Sequence, residues 1–353
     1  MPLHARLKIS LFLEKKNNMA VKDQVLQVLT STQNLQGFVS GEELAQRCGV
    51  TRASVWKAVE SLRSRGLKIE AVTNRGYRLL ENNTFSAEGI SAFLADKSAN
   101  IVFFETIDST NTESKRRLAV TEARKLHKTC VVAAEQTDGR GRLGRKFVSP
   151  QKSGIYLSII YSCRTVANPA VYTASTAVGV CRSIEKLFGT ETKIKWVNDI
   201  FLQGKKVVGI LTEGVTDFET GMIEAAIIGI GINILNNPLL PQDVAGGLLS
   251  ENEDSAAKRN ELAASVITEV CAILDGGEKS VKEAMKEYRN RSLLLGRTVE
   301  VSPVIGQTEN NFICTVKDVT DDAGLLVVMP DGTEKVLQCG EVSIHSEKMC
   351  YNE

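Results

Sequence analysis

The spacing of apolar residues predicts that the first folded stretch of the chain, residues 19–82, is mostly helical. Positions such as Val55, Val59 and Leu62 recur at helical spacing, and three successive helices are predicted in this way. At the end of the stretch, two predicted strands flank Asn74-Arg75-Gly76, a sequence typical of a β-hairpin with a basic tip. Three helices followed by a hairpin indicate a winged helix-turn-helix.

Capping residues predict where these helices begin and end. Ser40 with Glu43 forms a capping box before the second helix, and Gly49 ends that helix. Thr51 is placed to cap the third helix, which is predicted to end at Gly66. The capping signals therefore agree with the apolar spacing.

The central part of the chain, residues 83–292, is predicted to be a mixed α+β domain that contains one large sheet. Predicted strands cover residues 101–105, 130–136, 154–161, 192–197, 201–202, 206–215 and 224–234, and predicted helices cover 86–94, 111–126, 169–188, 256–274 and 280–291. From residue 296 the pattern changes to short strands separated by turn residues such as Asp331-Gly332. This change predicts a small C-terminal β-barrel of SH3-like size over residues 293–353.

Composition excludes several classes of protein. Hydrophobic residues make up 43% of the chain and charged residues 24%, which is ordinary for a globular protein. The net charge is only +1, so an affinity for nucleic acid or nucleotide has to come from local clusters. The eight cysteines form no CxxC pair and the three histidines are scattered. This distribution argues against a disulfide framework, a metal site and a histidine-based triad, and favours reduced cysteines.

The chain is expected to be cytoplasmic, with no membrane partner. No apolar stretch approaches the length that is needed to cross a bilayer. Residues 1–18 are basic with a short apolar middle, but no small-residue cleavage site follows them. We interpret these residues as an extension that is disordered or that results from a mis-assigned start codon.

The most specific local feature is a loop rich in glycine and arginine, Asp138-Gly139-Arg140-Gly141-Arg142-Leu143-Gly144-Arg145-Lys146. We call these residues the Gly/Arg loop. Its glycines let backbone N–H groups approach a ligand closely, and its basic side chains can neutralise an anion. The loop lacks the GKS or GKT of a phosphate-binding P-loop and the GxGxxG spacing. Considered alone, it fits either an anion-binding loop, mobile until a ligand orders it, or a flexible RG-type segment.

Three further polar clusters lie where predicted strands end or are buried. Asp108-Ser109-Thr110-Asn111 can offer hydroxyl and amide groups to a polar ligand, or can simply cap a helix. Lys195-Trp196-Val197-Asn198-Asp199 and Lys206 bring a carboxamide, a carboxylate and two lysines towards one strand end. Gly229-Ile230-Gly231-Ile232-Asn233 places glycines inside an apolar strand, which indicates close approach of backbone or ligand, or a bulge.

Taken in this order, these segments resemble the biotin–protein ligase family, and the N-terminal region resembles its bifunctional members, which also repress the biotin operon. The motifs are DSTN at 108–111, EQTDGRGRLGRKF at 135–147, KWVNDI at 195–200, KKVVGILTE at 205–213 and GIGIN at 229–233. The resemblance covers residues 101–345. It implies a class II synthetase-like catalytic domain followed by the SH3-like domain.

The resemblance also implies an activity and a set of site residues. The family makes biotinyl-5′-AMP from biotin and MgATP and transfers the biotin to a lysine of a biotin carboxyl carrier protein. The residues implied for biotin and the adenylate are Ser109, Thr110, Asn111, Gln136, Arg140, Gly141, Arg142 and Lys206. Those implied for the ATP or adenine side are Arg145, Lys195, Asn198, Gly229, Gly231 and Asn233.

Three of the implied residues are expected to be catalytic. Lys206 matches the lysine between the biotin carboxyl and the α-phosphate, Arg142 belongs to the Gly/Arg loop, and Asp199 lies near the reacting centre or Mg²⁺. No residue is assigned to a resident metal ion. Phe147 and Val197 replace the family's usual tryptophan and proline, and both are expected to be packing substitutions. Leu248 replaces an aromatic residue that stacks on adenine in some bifunctional members, which leaves the covering of adenine open.

The predicted helix-turn-helix is locally basic, because residues 40–80 contain eight Lys or Arg and four Glu. Arg52, Ser54 and Lys57 lie near the start of the predicted recognition helix, and Arg75 lies on the hairpin. We expect these residues to bind operator DNA upstream of biotin-synthesis genes, with a homodimer formed when the adenylate is bound. The alternatives are a ligase whose winged helix regulates nothing, a winged helix that binds protein, and a lipoate-type protein ligase.

Overall fold

A computed structural model describes residues 21–33, 37–64, 68–80, 85–95, 98–162, 168–216, 221–236, 239, 244–249, 255–302, 310–338 and 341–344. The chain divides into two compact units, Met1–Ala92 and Phe93–Glu353. The predicted extension at 1–18 and the predicted helix end at Gly66 lie outside the described residues. The domain limits predicted after residues 18, 82 and 292 stay predictions.

The described elements up to Phe93 follow the predicted order of three helices, a hairpin and a further helix. They are α1 (Val21–Gln33), α2 (Gly41–Cys48), α3 (Arg52–Ser64), β1 (Ile69–Val72), β2 (Gly76–Leu79) and α4 (Ala87–Phe93), and α4 ends at the limit between the two units. The apolar faces of the first three helices meet in one core, to which Leu29, Leu44 and Leu62 contribute fully buried side chains. Burial of this shared face stabilises helices that are too short to persist alone.

The predicted caps at Ser40, Gly49 and Thr51 are confirmed. Ser40 Oγ accepts a hydrogen bond from the Glu43 N–H at 3.0 Å, and Thr51 Oγ1 accepts one from the Ser54 N–H at 3.2 Å. Gly49 ends α2 with a φ of 68°, a left-handed conformation that glycine adopts without strain. The hairpin register pairs Val72 with Gly76, which places Arg75 at the tip.

The second unit contains a seven-stranded mixed sheet. Its strands are β3 (Asn100–Ile107), β4 (Thr129–Gln136), β5 (Gly154–Ser162), β6 (Lys193–Lys195), β7 (Asp199–Leu202), β8 (Lys205–Thr216) and β9 (Ile223–Asn233). They are ordered β3-β4-β5-β9-β8-β7-β6, and only β3 and β4 run parallel. The order brings the chain-distant strands β5 and β9 together in the middle, so the fold depends on long-range pairing.

Helices complete this unit. They are α5 (Thr110–Leu118), α6 (Pro169–Phe188), α7 (Ser255–Asp275) and α8 (Gly277–Asn290). α6 packs against α7, α8 and the strands β8 and β9. The single helix predicted over 111–126 is interrupted, because α5 ends at Leu118 and a separate 3₁₀ turn covers Ala123–Leu126. The exposed β-branched residue Val120 lies at the interruption, where nothing packs to hold a weak helix former in place.

The strand predicted over 192–197 is shorter in the structure. β6 ends at Lys195, residues 196–198 form a turn, and Asp199 already belongs to β7. Trp196 is buried in this turn and donates its indole N–H to the Ala323 carbonyl at 2.8 Å. A tertiary hydrogen bond therefore outweighs the local strand preference.

The C-terminal strands form a separate five-stranded antiparallel sheet in the order β13-β12-β11-β10-β14. They are β10 (Thr298–Ser302), β11 (Phe312–Val319), β12 (Leu325–Val328), β13 (Glu334–Leu337) and β14 (Glu341–Ile344). Cys48, Cys130, Cys181, Cys271 and Cys314 are buried free thiols, as predicted for these five. None of the helices in the described part of the chain has the length and hydropathy to span a bilayer.

Candidate functional site

The floor of the candidate site is bare backbone, because three glycines lie side by side on β8 and β9. Gly209 pairs with Gly231, and Leu211 pairs with Gly229. A Cβ built on Gly231 would overlap the Phe147 ring, and one built on Gly229 would overlap the Asn111 side chain. The close approach that the glycines predicted is therefore confirmed, and the approaching groups are two side chains of this protein.

One end of the cleft is lined by small neutral polar groups. The backbone N–H and the hydroxyl of Thr110 lie 2.9 and 3.1 Å from the Gln136 Oε1, which accepts from the N–H. The fully buried Ser158 Oγ lies 2.7 Å from Thr110 Oγ1 and 2.6 Å from Asn111 Oδ1. Ser109 caps α5 and accepts from the Thr112 N–H at 3.5 Å. Both uses predicted for DSTN, helix cap and polar pocket wall, occur together.

The same polar end is connected to the Gly/Arg loop. Gln136 Nε2 donates to Ser149 Oγ at 2.9 Å, and Ser149 Oγ donates to the Phe147 carbonyl at 2.9 Å. Gln136 and Ser149 also form an isolated antiparallel bridge. Gln136 thus connects Thr110 to the end of the Gly/Arg loop through hydrogen bonds. A displacement of the loop end would therefore displace Thr110 as well.

The Asn111 side chain is fully used by the protein. Its amide nitrogen donates to Glu213 Oε2 at 2.8 Å and to the Leu211 carbonyl at 3.3 Å. Lys115 Nζ lies 2.6 Å from the other oxygen of Glu213, which anchors that carboxylate. Asn111 can therefore fix the shape of the pocket wall, while its amide hydrogens are directed at protein acceptors.

An ion pair stabilises the start of the DSTN segment. Arg116 contacts both carboxylate oxygens of Asp108, and this hydrogen bonding lowers the pKa of Asp108 below its usual value. Asp108 Oδ1 also accepts from the Ser109 N–H at 2.8 Å. The pair is largely exposed, so it orients the segment more than it stabilises the fold.

The Gly/Arg loop closes on itself. Gly141 N–H donates to the Arg145 carbonyl at 2.7 Å, and Phe147 N–H donates to the Gly139 carbonyl at 2.8 Å. Arg142–Gly144 forms a 3₁₀ turn. Gly144 has a φ of 76°, so glycine is required there to avoid strain. The loop thus directs several arginine side chains towards one cleft.

The charged end of the cleft is a connected set of four side chains. Arg142 donates to Asn198 Oδ1 at 2.9 Å, and Asn198 Nδ2 donates to Asp199 Oδ1 at 2.8 Å. Lys206 Nζ lies 2.7 Å from the same Asp199 oxygen. The convergence predicted for the carboxamide, the carboxylate and Lys206 is confirmed. Asp199 separates two cations that would otherwise repel each other.

Helix α8 and the connection between β11 and β12 position this charged end. The Tyr288 hydroxyl donates to the Val197 carbonyl at 3.1 Å, and Trp196 is bonded to Ala323. Burial, and then the negative charge of Asp199, raise the pKa of Tyr288 well above its usual value, so the phenol remains a donor. The turn that carries Asn198 and Asp199 is therefore held by residues that are distant in sequence.

Nearly all the predicted ligand-site residues line one cleft. Those brought together are Ser109, Thr110, Asn111, Gln136, Arg140, Gly141, Arg142, Arg145, Lys195, Asn198, Asp199, Lys206, Gly229 and Gly231. Asn233 is not among the lining residues; it is buried opposite Gly154, and its carbonyl accepts from the Leu248 N–H at 3.2 Å. The roles of these residues stay predictions.

Several lining residues were not assigned a role from the sequence. They are Lys146, Phe147, Trp196, Gly209, Ile210, Leu211, Ile230 and Val342. Most adjoin the quoted motifs and could have been found from them, but Val342 is brought in by the C-terminal sheet alone. The described lining holds six cationic side chains and one carboxylate, Asp199, so it favours anions strongly. No group of three or more metal-ligating side chains occurs among the described residues.

The predicted DNA-binding residues all belong to the N-terminal unit. Arg52 and Lys57 are exposed, and the Arg52 Nε lies 3.9 Å from a carboxylate oxygen of Glu42. Ser54 Oγ lies 2.9 Å from Thr51 Oγ1, so its hydroxyl is engaged in the helix cap. The Arg75 guanidinium lies 4.4 Å from the centre of the Phe38 ring, which restricts its direction.

Known proteins share both parts of this chain. Residues 103–233 match the Biotin/lipoate A/B protein ligase family, and residues 22–78 match an HTH domain family. The Bifunctional ligase/repressor BirA of Escherichia coli (strain K12) is 31% identical over 316 residues, 88% of this chain and 94% of that protein. The protein of the same description from Bacillus subtilis (strain 168) is 36% identical over 205 residues, 57% of this chain and 62% of the relative.

Solved structures agree with the sequence relatives. The biotin protein ligase from Aquifex aeolicus in complex with biotin and ATP is 27% identical, with a TM-score of 0.55. The similarity covers 69% of this chain and 97% of that chain.

The glycine floor generates a prediction. Gly231→Ala should lower the free energy of unfolding by about 1–3 kcal/mol, because the added methyl group overlaps the Phe147 ring in a packed site. Denaturation of the full chain followed by circular dichroism measures the change. Gly214→Ala is the matched control, since its Cβ would make an ordinary 3.4 Å contact with Ile223.

A double variant makes this test specific to Phe147. Gly231→Ala combined with Phe147→Ala should be no less stable than Phe147→Ala alone, because the overlapping ring is gone. Equal stability of Gly231→Ala and Gly214→Ala would show that the Phe147 ring does not lie on this glycine.

Proposed function

The chain belongs to the biotin–protein ligase family, and from this we propose that it activates biotin with ATP and transfers it to a lysine of a biotin carboxyl carrier protein. The observation that carries the proposal is the division of the cleft into two chemically different ends. Ser109, Thr110 and Gln136 supply neutral hydrogen-bonding groups at one end, and Arg142 and Lys206 supply charge at the other. Biotin has the same division, with a neutral ring system and a terminal carboxylate.

The first step joins two anions. A biotin carboxylate oxygen attacks the α-phosphorus of ATP, the bond to the β-phosphate oxygen breaks, and pyrophosphate leaves with that electron pair. No protein nucleophile is needed, so positioning and charge neutralisation carry the catalysis. Lys206 and Arg142 supply that charge in this proposal, which is supported by the ion pair that holds Lys206 Nζ 2.7 Å from Asp199 Oδ1.

The second step consumes the mixed anhydride. The neutral amine of the carrier lysine attacks the biotinyl carbonyl carbon, the C–O bond to phosphate breaks, and AMP leaves while the amine loses a proton. Water would hydrolyse the same anhydride, so the Gly/Arg loop has to cover the cleft until the carrier arrives. The bond from Arg142 to Asn198 is suited to hold the loop over the intermediate.

ATP is expected to enter with Mg²⁺. Such an ion takes one or two protein carboxylates and completes its shell with phosphate oxygens and water. Asp199, the one carboxylate of the described lining, fits that limited demand. Mg²⁺ would neutralise phosphate charge, while Asp199 and Lys206 keep their own positions through their ion pair.

The remaining expectations belong to the same proposal. The N-terminal unit binds operator DNA upstream of biotin-synthesis genes, through exposed cations such as Arg52 and Lys57. The adenylate-bound protein is a homodimer, the catalytic domain is class II synthetase-like, the five-stranded C-terminal sheet is an SH3-like barrel, and the protein is cytoplasmic. The antiparallel order of that sheet and its short strands support the barrel.

One experiment separates biotin from lipoate as substrate. The purified chain is incubated with ATP, a biotin carboxyl carrier domain or a lipoyl domain, and the matching acid, and the acceptors are analysed by mass spectrometry. We expect only the carrier domain with biotin to gain mass. Modification of the lipoyl domain alone would make the chain a lipoate-type ligase.

The charged end of the cleft generates the next prediction. Lys206→Ala should slow biotinyl-adenylate formation at least about tenfold, because a neutral side chain cannot offset the approach of two anions. Pyrophosphate release at saturating biotin and ATP measures the rate. Lys205→Ala removes the same charge from the neighbouring, exposed position of β8 and serves as the control. Equal rates of pyrophosphate release in the two variants would show that Lys206 has no catalytic role in adenylate formation.

The contact between Arg142 and Asn198 predicts that the intermediate is released from the cleft when this contact is removed. Arg142→Ala should release more free biotinyl-AMP, because the loop loses the bond that closes it and a charge that attracts the intermediate. Released adenylate is measured after rapid filtration, with the exposed Arg124→Ala as the control. Asn198→Ala should raise the release less in this variant than in the wild-type chain, since both changes break the same bond between Arg142 and Asn198. Two fully additive effects would contradict the closing role.

The regulatory part of the proposal predicts ligand-dependent binding to DNA. Biotin with ATP should raise the affinity for DNA upstream of biotin-synthesis genes by an order of magnitude or more, because a dimer presents two winged helices to two half-sites. Footprinting with and without the two substrates measures this. Equal protection in both conditions, or none, would leave the N-terminal unit without a biotin-responsive role.

A further inference from the structure

The outer face of α3 combines an apolar and a basic surface. Val55, Val59 and Leu62 are fully buried on the inner face of this helix. Ala53, Trp56 and Lys57 are exposed and, by helical spacing, lie on the opposite side. We call these three residues, together with the exposed Arg52 at the helix start, the outer face.

Trp56 is the unusual member of the outer face. Trp56 is 56% exposed, although tryptophan is on average a highly buried residue. The core of this unit is complete without it, since the buried residues of all three helices already contact one another. Leaving so much apolar surface in water costs stability, so Trp56 is best explained by something that binds to it.

The surroundings of Trp56 identify the chemistry of that ligand. Arg52 and Lys57 flank it, and both are exposed. The acidic residue further along the helix, Glu60, is paired with Arg63 at 2.8 Å, so its charge is balanced locally. An exposed aromatic ring between two cationic side chains is suited to bind a polyanion that also carries an apolar group. A protein partner would need roughly 800 Å² of complementary surface, far more than one tryptophan and one alanine provide.

We propose that Trp56 and Ala53 contact thymine C5-methyl groups in the major groove of duplex DNA. The residues lie in the first half of α3, the part of a recognition helix that reaches base edges. The thymine methyl is the apolar group that base pairs present in the major groove, where it is read by apolar side chains. Trp56 is therefore a specificity-determining residue, while Arg52 and Lys57 contact phosphates. This inference rests on the DNA binding proposed above and names what is read.

The test removes the methyl groups one at a time. A duplex is selected from random sequence by the full chain with biotin and ATP, and each thymine in it is then replaced by deoxyuridine. For the wild-type chain, at least one replacement should weaken binding by about fourfold, the value of one buried methyl group. Equilibrium binding is measured by fluorescence anisotropy of labelled DNA, and circular dichroism checks the fold of every variant.

Two variants assign the effect. Trp56→Ala should bind the thymine duplex more weakly and should no longer distinguish it from the deoxyuridine duplex at the sensitive position. Lys57→Ala, the adjacent cation, should bind both duplexes more weakly while keeping the methyl preference, and its salt dependence should be shallower. A Trp56→Ala variant that keeps the full methyl preference would overturn the assignment of Trp56.

The two levels of the proposal fail differently. If no duplex is selected, or if binding to every duplex is equally weak, DNA recognition itself is wrong. If a duplex is selected but no deoxyuridine replacement affects the wild-type chain, DNA recognition stands and methyl reading by the outer face is wrong.

Discussion

Close contact between side chains and bare backbone is the constraint on which this cleft depends. Gly209 and Gly231 leave room for the Phe147 ring, and Gly229 leaves room for Asn111. The Phe147 carbonyl accepts from Ser149, which in turn accepts from Gln136, so the ring's position is transmitted to the polar end of the cleft. A side chain on the glycine floor would therefore disturb the loop and the pocket wall together. The sheet provides rigidity because its central strands are paired on both sides, and catalytic groups need such rigidity to keep their geometry.

Electrostatic preorganisation is the second requirement. Arg142, Asn198, Asp199 and Lys206 are already connected through hydrogen bonds and an ion pair. Two cations brought near each other would normally repel, but Asp199 lies between them and Asn198 spaces them. Reacting anions would then meet cations that need little reorientation, which is where preorganised sites gain most of their rate. Trp196 and Tyr288 hold the turn that carries Asn198, so the charged end depends on α8 and on the connection between β11 and β12.

Local signals predicted much of this fold, and long-range contacts account for most of the differences. The helix Pro169–Phe188 was predicted with its observed bounds, because Asn168 caps it, proline begins it and Gly189 ends it with a φ of 68°. The turn at 196–198 was predicted as strand, because its conformation is fixed by Ala323 and Tyr288, which are distant in sequence. The motifs located the cleft almost completely. Asn233 belongs to the same motif as Gly231 but lies outside the lining, and Val342 could not have been found without the C-terminal sheet.

The direction of the hydrogen bonds limits what the polar end can recognise. The Thr110 hydroxyl proton is directed at Gln136 or at Ser158, whichever way Ser158 turns, so Thr110 can offer a ligand only a lone pair. Both Asn111 amide hydrogens are directed at protein acceptors. Ser109 accepts from the Thr112 N–H, which leaves its hydroxyl proton for a ligand. This polar end of the cleft therefore offers a ligand one donor, the Ser109 hydroxyl, and one acceptor, the hydroxyl oxygen of the adjacent Thr110. If a ureido group such as that of biotin enters, its carbonyl can accept from Ser109 while an N–H donates to Thr110. A carboxylate at this polar end would instead meet the Thr110 lone pair, which would disfavour the reversed orientation.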